Sequence, residues 1–160
     1  KIKNIIEDFK PNILINCAAV FGNENQNIDN CNSDDFVNTF KINCIAALEL
    51  SKISINDKLE QIVNISSQMG SIFSNDSGNY YIYKTTKASL NMITKLMSFD
   101  LEKKNVIVFA VDPGNVKTKL NSGGYLDPKV SVSNILDLIQ EQNKELNGCF
   151  LSLDGKQLKW

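Results

Sequence analysis

Short, nearly unbroken apolar runs, separated by segments with helical spacing, constrain the fold of this chain more than any other feature. Three such runs are "NILINCAAV" (12–20), "QIVNISS" (61–67) and "NVIVFAVDPG" (105–114), and "CFLSL" (149–153) is a shorter strand candidate. A continuous apolar run of this length is typical of a strand that is covered on both faces, as in a parallel sheet.

Helical periodicity occupies the intervals between those strands. It predicts helices over 1–9, 33–53, 83–104 and about 131–143, and turn-forming residues predict loops over 70–79 and 115–130. Ser33 is the expected cap of the second helix. Strands that alternate with helices indicate βαβ units, right-handed crossovers and a doubly wound parallel α/β sheet.

The first strand candidate is apolar on both faces, whereas an edge strand usually carries charged residues or a cover. The chain also begins with Lys1 inside a helical pattern and without a starting methionine. We therefore expect further strands to precede this segment in a longer protein. Residues 1–160 are then a single domain unit, the second part of a doubly wound domain.

Composition excludes several classes of function. The chain has 160 residues, of which 42% are hydrophobic and 22% charged, and its net charge is -1, so it presents no basic surface for nucleic acid or anionic membranes. No segment approaches the roughly 18 apolar residues of a membrane span, and no leader pattern begins the chain. We expect a cytoplasmic protein that binds neither nucleic acid nor membranes.

No metal site is expected. The chain lacks histidine, and its four cysteines (Cys17, Cys31, Cys44 and Cys149) form no C-x-x-C pair, which favours buried, reduced thiols over zinc or disulfides. The asparagine-rich loop at 22–33 is interpreted as a surface insertion without a function.

The polar residues that follow the strands are the candidates for chemistry, because ligands of open parallel sheets lie at the carboxyl ends of the strands. The first run ends in "NCAA", the second in "SSQMG" and the third in "DPGNVKT", and the loop after the second leads into "NYYIYKTTK" (79–87). A phenol with a lysine one turn further forms a proton-transfer site, because a nearby ammonium lowers the tyrosine pKa from about 10. Ser67 can hold a substrate oxygen without titrating.

The pattern Tyr-x-x-x-Lys occurs in two frames, Tyr80 with Lys84 and Tyr83 with Lys87. At about 100° per residue, the inward stripe of this helix consists of Leu90, Ile93, Met97 and Leu101. Tyr83 is in line with that stripe and Lys87 is close to it. Tyr80 follows a Gly-Asn pair and lies at or before the first turn, so we predict that Tyr83 and Lys87 carry the chemistry.

A second strip on the same helix consists of Ser89, Met92, Leu96 and Phe99. A helix that is apolar on two sides is covered twice, here by the sheet and by a partner. This pattern favours the hypothesis of a homodimer formed through the helix at 80–102.

The quoted motifs resemble the short-chain dehydrogenase/reductase family, and within it the C-factor or sniffer-type carbonyl reductases, over essentially all 160 residues. The matching segments are "ILINCAA", "FKINCIAALEL", "IVNISSQMGSI", "YKTTKASLNM", "DPGNVKT" and "LDGKQLKW". The family's usual serine-to-tyrosine spacing would fit Tyr80, but this branch has a longer loop, which "GSIFSNDSGNYYIY" matches, and the loop favours Tyr83. The resemblance implies the C-terminal catalytic part of a Rossmann-like NAD(P)-binding domain, whose N-terminal strands and glycine-rich phosphate loop lie outside these residues.

The resemblance also implies a role for each matching residue. Tyr83 would donate or accept the proton, Ser67 would orient the carbonyl, and Asn43 would hold a water that continues the proton relay. Lys87 would bind the nicotinamide ribose and lower the tyrosine pKa. The residues expected to line the cofactor are Asn16, Ala18, Ala19, Tyr83, Lys87, Pro113, Gly114, Val116 and Thr118.

The implied reaction is hydride transfer between NAD(P)H and a small carbonyl or alcohol, with NADP somewhat preferred over NAD by family resemblance. Cys17 and Ala19 depart from the family's Asn-Asn-Ala-Gly, and Asn115 departs from the bulky residue that follows Pro-Gly. A non-catalytic member, truncated or C-signal-like and acting through protein contacts, is the alternative. A nucleotide-sugar epimerase of the same superfamily is a third interpretation, which the short C-terminal region disfavours.

Overall fold

The computed structural model describes residues 2–160 and has the predicted α/β architecture. Within these residues, four parallel strands form one sheet in the order β1-β2-β3-β4. The strands are β1 (Ile13–Asn16), β2 (Gln61–Ile65), β3 (Ile107–Val111) and β4 (Phe150–Leu151). The helices are α1 (Ile2–Phe9), α2 (Ser33–Phe40), α3 (Ala46–Ser54), α4 (Tyr81–Asp100) and α5 (Pro128–Gln140).

The cap of α2 and the start of α5 differ from the prediction. The cap of α2 is Asn32 rather than Ser33, because the Asn32 side chain accepts the backbone N–H groups of the next turn. α5 begins at Pro128, three residues before the predicted start, because the Asp127 side chain accepts the Lys129 N–H and proline suits the first turn of a helix. The predicted first residue of α1, Lys1, lies outside the described residues.

The helix predicted over 33–53 is interrupted. A π-helical turn, Lys41–Ile45, joins α2 to α3, and the Ala46 N–H donates to the Lys41 carbonyl. Such turns widen a helix by one residue and are frequent at functional sites. The helix predicted over 83–104 begins earlier, at Tyr81, and ends at Asp100, followed by a 3₁₀ turn, Glu102–Lys104.

Alternate side chains of the strands face two helical layers. On one face, Val63 and Phe109 pack with Leu138 of α5, and on the other face Ile62 and Val108 pack with α4. Each fully buried side chain of this size contributes about 1.5–3 kcal/mol. β3 is buried along its whole length.

β1 is less covered than its sequence suggests. Ile15 is 42% exposed, so the expectation that this strand is buried on both faces is wrong at that position. The strand is also shorter than its apolar run, since it ends at Asn16 and the chain then leaves the sheet.

A chain of buried amides joins the strand ends to α4. Asn16 Nδ2 donates to Asn64 Oδ1 at 2.8 Å, and Asn64 Nδ2 donates to Thr94 Oγ1 at 2.8 Å. Asn16 and Asn64 are register partners on β1 and β2. The carboxyl ends of both strands are therefore held in a set position relative to α4.

Gly70 allows the turn after β2 to pack directly on α4. A Cβ at this position would lie 2.7 Å from the Lys87 carbonyl carbon and 2.9 Å from the Ala88 nitrogen. The Gly70 carbonyl also accepts a hydrogen bond from Asn91 Nδ2 at 3.3 Å. The turn that carries Ser67 thus touches the helix at Lys87.

We expect Gly70→Ala to lower the free energy of unfolding by about 1–3 kcal/mol, because the added methyl group collides with main-chain atoms that cannot move independently. Gly78→Ala is the matched control, since nothing lies within 4 Å of a Cβ there. Urea unfolding of both variants is the measurement, and equal effects would contradict the proposed close packing.

Candidate active site

The structure separates the two Tyr-x-x-x-Lys frames. Tyr80 precedes α4 in a left-handed conformation with a φ of 56°, and it is 41% exposed. Lys84 turns to the preceding loop, where its Nζ donates to Asn75 Oδ1 at 2.6 Å and to the Ser77 carbonyl at 2.9 Å. Tyr83 and Lys87 instead line one cavity at the carboxyl ends of the strands.

The predicted helix phase is confirmed. In the inward stripe, Leu90, Met97 and Leu101 are buried, and Ile93 packs against the same core. Lys87, with 2% exposure, is among the largest buried side chains of the chain. Lys84 therefore binds the loop between Ser67 and Tyr83, whereas Lys87 is buried inside the fold.

The asparagine-rich loop at 22–33 lies largely at the surface, as predicted, but its buried residue Gln26 fixes the first turn of α4. Gln26 is 2% exposed, and its Oε1 accepts the Tyr83 N–H at 2.9 Å while its carbonyl accepts the Tyr81 N–H at 3.1 Å. Gln26 Nε2 donates to the carbonyls of Phe21 and Asn23. Nothing in the local sequence pattern distinguishes Gln26 from its polar neighbours, so sequence reasoning missed it.

The cavity has a volume of about 390 Å³. The predicted site residues that line it are Ala19, Ser67, Tyr83, Lys87, Pro113, Gly114, Val116 and Thr118. Asn16, Ala18 and Asn43 do not line it. Residues that the sequence did not single out include Asp112, which immediately follows β3, and an apolar wall from Ile15, Leu120, Val132 and Leu136.

Lys87 reaches the end of β2 through the interior. Its Nζ donates to the Ile65 carbonyl at 2.9 Å and lies 5.7 Å from the centroid of the Tyr83 ring. Burial lowers the pKa of Lys87 from 10.5 to about 8, although the thiols of Cys44 and Cys17 and the Asp112 carboxylate act in the opposite direction. Lys87 therefore remains predominantly charged at neutral pH.

Tyr83 is half-buried, and the Phe21 ring packs against it with 4.7 Å between centroids. Burial raises the pKa of Tyr83 above 10.0, a hydrogen bond with the Ser67 hydroxyl lowers it, and Asp112 raises it. The predicted lowering of this pKa is therefore wrong for the described residues, because desolvation is the largest cause of the shift and raises the pKa. The phenol is protonated at neutral pH, which is the form that can donate a proton.

Ser67 begins the turn that carries it to Tyr83. It caps the 3₁₀ turn Gln68–Gly70, and its Oγ accepts the Met69 N–H at 3.2 Å. The preceding Ser66 is buried, and its Oγ donates to Asn91 Oδ1 at 2.5 Å. One serine thus anchors the turn to α4, and the other presents its hydroxyl to the cavity.

Asn43 lies in the π turn and is 1% exposed. Its Oδ1 accepts the Val20 N–H at 2.9 Å, and its Nδ2 donates to the Val20 carbonyl at 2.9 Å and to Thr86 Oγ1 at 3.0 Å. The side chain ties the segment after β1 to α4 and has its donors and acceptor engaged. A water held at Asn43 would consequently contact main-chain atoms.

The segment after β3 closes the cavity on another side. Gly114 has a φ of 76°, which favours glycine, and a Cβ there would lie 3.0 Å from Leu126 Cδ2. The carbonyl of Asn115 accepts the N–H groups of Tyr125 and Leu126, each at 3.0 Å. These bonds close a loop that brings Thr118 to the cavity, a shape that the sequence did not reveal.

The cysteines are all free, but only Cys44 is buried as expected, and burial raises its pKa to about 11. Cys17 is exposed where it lines the cavity. In the part of the chain that the structure describes, no three histidine, cysteine or acidic side chains cluster as metal ligands. None of the helices in residues 2–160 is both long enough and apolar enough to cross a membrane.

The chain also matches a known protein family. Residues 2–127 match the family described as short chain dehydrogenase. The chain belongs to the short chain dehydrogenase family. Within that family it is 30% identical over 131 residues to the C-signal of Myxococcus xanthus, which covers 79% of each chain.

Solved short chain dehydrogenase structures share the fold. The carbonyl reductase Sniffer of D. melanogaster superposes with a TM-score of 0.93 at 28% identity, over 99% of this chain and 73% of that protein. The NADPH-bound carbonyl reductase from chicken fatty liver gives a TM-score of 0.87 at 29% identity, over 99% and 72% of the two chains.

The buried ammonium of this short chain dehydrogenase generates a stability prediction. The folded state binds fewer protons than the unfolded state between the folded pKa of about 8 and the unfolded value of 10.5. The buried charge therefore lowers the free energy of unfolding, fully below pH 8 and not at all above pH 10.5. The gap between the two pKa values corresponds to about 3 kcal/mol.

We expect Lys87→Met to raise the free energy of unfolding at pH 7 by about 2 kcal/mol, since removing the penalty outweighs the loss of one hydrogen bond worth about 1 kcal/mol. The gain should shrink as the pH approaches 10.5. Denaturant unfolding across this pH range tests it, with the exposed Lys103→Met as the control. A destabilised Lys87→Met variant at pH 7 would refute the buried-charge argument.

Proposed function

We propose that this short chain dehydrogenase is the catalytic part of an NAD(P)-dependent enzyme that interconverts a carbonyl and an alcohol, with Tyr83 as the acid or base. Family membership supports NAD(P)-dependent oxidoreduction as the general chemistry. The observation that carries the proposal is the convergence of Ser67, Tyr83 and Lys87 on one cavity at the carboxyl ends of the strands.

The donor set of the cavity fits a nicotinamide riboside. The ammonium of Lys87 and the phenol of Tyr83 can donate hydrogen bonds to ribose hydroxyls, and Pro113, Gly114 and Val116 offer a wall for a flat ring. When bound, the cofactor supplies or accepts the hydride. We infer NADP over NAD from the NADPH-bound reductase of similar fold.

Residues 1–160 would hold the nicotinamide end of the cofactor and the substrate. The family's glycine-rich phosphate motif, Gly-x-x-x-Gly-x-Gly, does not occur in the sequence, so contacts to the diphosphate would come from other residues. In this proposal the 160 residues form one domain unit that contributes the catalytic part of the cofactor-binding domain. Ala19 would approach the cofactor at the cavity, while Asn16 and Ala18 would act through main-chain atoms next to it.

Proton transfer would follow from the protonation states of the side chains. Ser67 and Tyr83 would donate hydrogen bonds to the carbonyl oxygen, and Tyr83, a neutral phenol at physiological pH, would give its proton to the oxygen as negative charge develops. The Lys87 ammonium would stabilise the phenolate that remains. A water at the main chain of Asn43 would then supply the proton that restores the Tyr83 phenol.

Oxidation of the alcohol, the reverse reaction, requires Tyr83 in its phenolate form. Because burial raises the pKa of Tyr83, the base form becomes populated only at alkaline pH in the chain alone. Near neutrality Tyr83 is therefore in the form that can protonate a carbonyl oxygen. The apolar wall formed by Ile15, Leu120, Val132 and Leu136 favours a small carbonyl compound with apolar substituents.

We expect Tyr83→Phe in the full-length protein to lower carbonyl reduction by at least ~100-fold, because the variant has no proton to donate. Binding of NADH and NADPH, measured by calorimetry, should change little. Tyr80→Phe is the matched control, since Tyr80 is 41% exposed and does not line the cavity. Unchanged reductase activity of Tyr83→Phe would reject the assignment.

A homodimer is also proposed. The second strip of α4 is exposed, with Met92 at 60%, Leu96 at 55% and Phe99 at 62%, and Val37 and Ile45 on the preceding helical segment are about half exposed. Exposed apolar faces of this kind mark interaction surfaces. We expect Leu96→Lys to shift a dimer towards monomer in sedimentation velocity at micromolar concentration, and wild-type protein that sediments only as monomer would contradict the dimer.

A second candidate function is protein signalling without catalysis, favoured by the similarity to C-signal. The presence of Ser67, Tyr83 and Lys87 around one cavity favours catalysis over this candidate. The two functions differ in their dependence on Tyr83, because a signalling surface would tolerate its replacement by phenylalanine.

A further inference from the structure

Asp112 stands where the ends of three strands meet. It directly follows β3, and its N–H donates to the Leu151 carbonyl of β4 at 2.8 Å. Its Oδ1 accepts the Gln68 N–H at 3.0 Å, from the turn that follows β2, and the Gly114 N–H donates to the same carboxylate. One carboxylate thus holds the turn after Ser67 and the Pro-Gly turn together.

The same carboxylate is the acidic group of the cavity. Within the described chain, the titratable side chains that line it are Asp112, Lys87, Tyr83 and Cys17. Lys87 and Tyr83 approach from α4, Cys17 from the segment after β1, and α5 contributes Ser131, which does not titrate. The Cys44 thiol of the π turn also faces Lys87. The Lys87 ammonium, bonded to the neutral Ile65 carbonyl, therefore has Asp112 as its acidic counter-charge in the cavity.

We propose that Asp112 is a positioning residue of this site: its carboxylate anchors the turn that presents Ser67, and its charge favours the protonated forms of Lys87 and Tyr83. This inference rests on the proposed function, in which Tyr83 donates the proton and Lys87 stabilises the resulting phenolate.

The direction of the charge effect follows from the environment of each group. A negative charge favours the ammonium and disfavours the phenolate, so Asp112 raises the pKa of Lys87 and also that of Tyr83. Burial raises the pKa of Asp112 itself, while its hydrogen bonds to Gln68 and Gly114 and the charge of Lys87 lower it. Removing the charge should accordingly lower the pKa of Lys87 and of Tyr83 together.

Two substitutions separate the two roles. Asp112→Asn removes the charge and keeps an oxygen that can accept the Gln68 N–H, whereas Asp112→Ala removes both. Asp100→Asn is the matched control, because Asp100 is an exposed carboxylate at the end of α4, the helix that carries Lys87 and Tyr83. The side chain of Lys87 is titrated by heteronuclear NMR and that of Tyr83 by ultraviolet absorbance, in the full-length protein without cofactor, with Lys87→Met and Tyr83→Phe assigning the signals.

We expect Asp112→Asn to lower the pKa of both groups, by up to about 1 pH unit, and Asp100→Asn to change neither. In Asp112→Ala, amide hydrogen exchange at Gln68 should be faster than in Asp112→Asn. Titration curves of Asp112→Asn that superimpose on the wild type would overturn the charge role, and equal exchange at Gln68 in the two variants would overturn the anchoring role.

If Asp112→Ala fails to fold, the titration of Asp112→Asn still decides the charge role. These readouts do not require turnover, so they separate the inference from the proposed function. Shifted pKa values together with a fully active Tyr83→Phe variant would leave the charge coupling in place and reject the proposed reaction. In Asp112→Asn, the loss of reductase activity at alkaline pH should begin at a lower pH than in the wild type. A purely structural role would not produce this change.

Discussion

The hydrogen bond from the buried Lys87 ammonium to the Ile65 carbonyl, at 2.9 Å, is the interaction on which the site depends. The bond joins the first half of α4 to Ile65, the last residue of β2. Tyr83, one helical turn before Lys87, consequently lies beside Ser67. An ammonium without a carboxylate in direct contact is costly to bury, as its pKa of about 8 indicates. The fold accepts that cost at the cavity that Lys87 shares with Tyr83 and Ser67.

Several polar clamps hold α4 against the strand ends. Asn91 bonds both Ser66 and Gly70, Gln26 holds the first turn of the helix, and Asn43 connects it to the segment after β1. Each clamp is buried, so its hydrogen bonds do not compete with water. Because an apolar interface alone would allow the helix to slide, these directional bonds define the position of Tyr83 relative to Ser67.

Much of this fold was predictable from local pattern. The strands β1–β4, their parallel arrangement and the inward face of α4 were predicted correctly, because apolar runs and a 3.6-residue period depend only on neighbouring residues. The cap at Asn32, the π turn and the early start of α5 were missed, since such ends are decided by single side-chain hydrogen bonds. The predicted lowering of the Tyr83 pKa also failed, because desolvation is set by surrounding atoms that sequence spacing does not reveal.

The amino-acid sequence by itself determined the order of the elements and the prediction that Tyr83 and Lys87, rather than Tyr80 and Lys84, face the interior, because helix phase assigns each side chain to a face. Only the tertiary structure decided that Asp112 shares their cavity and that Gln26 holds the helix start, since these contacts join segments far apart in the chain. The physical reason is that periodicity specifies which face a residue occupies, whereas burial, charge and hydrogen-bond partners at that face are supplied by other elements.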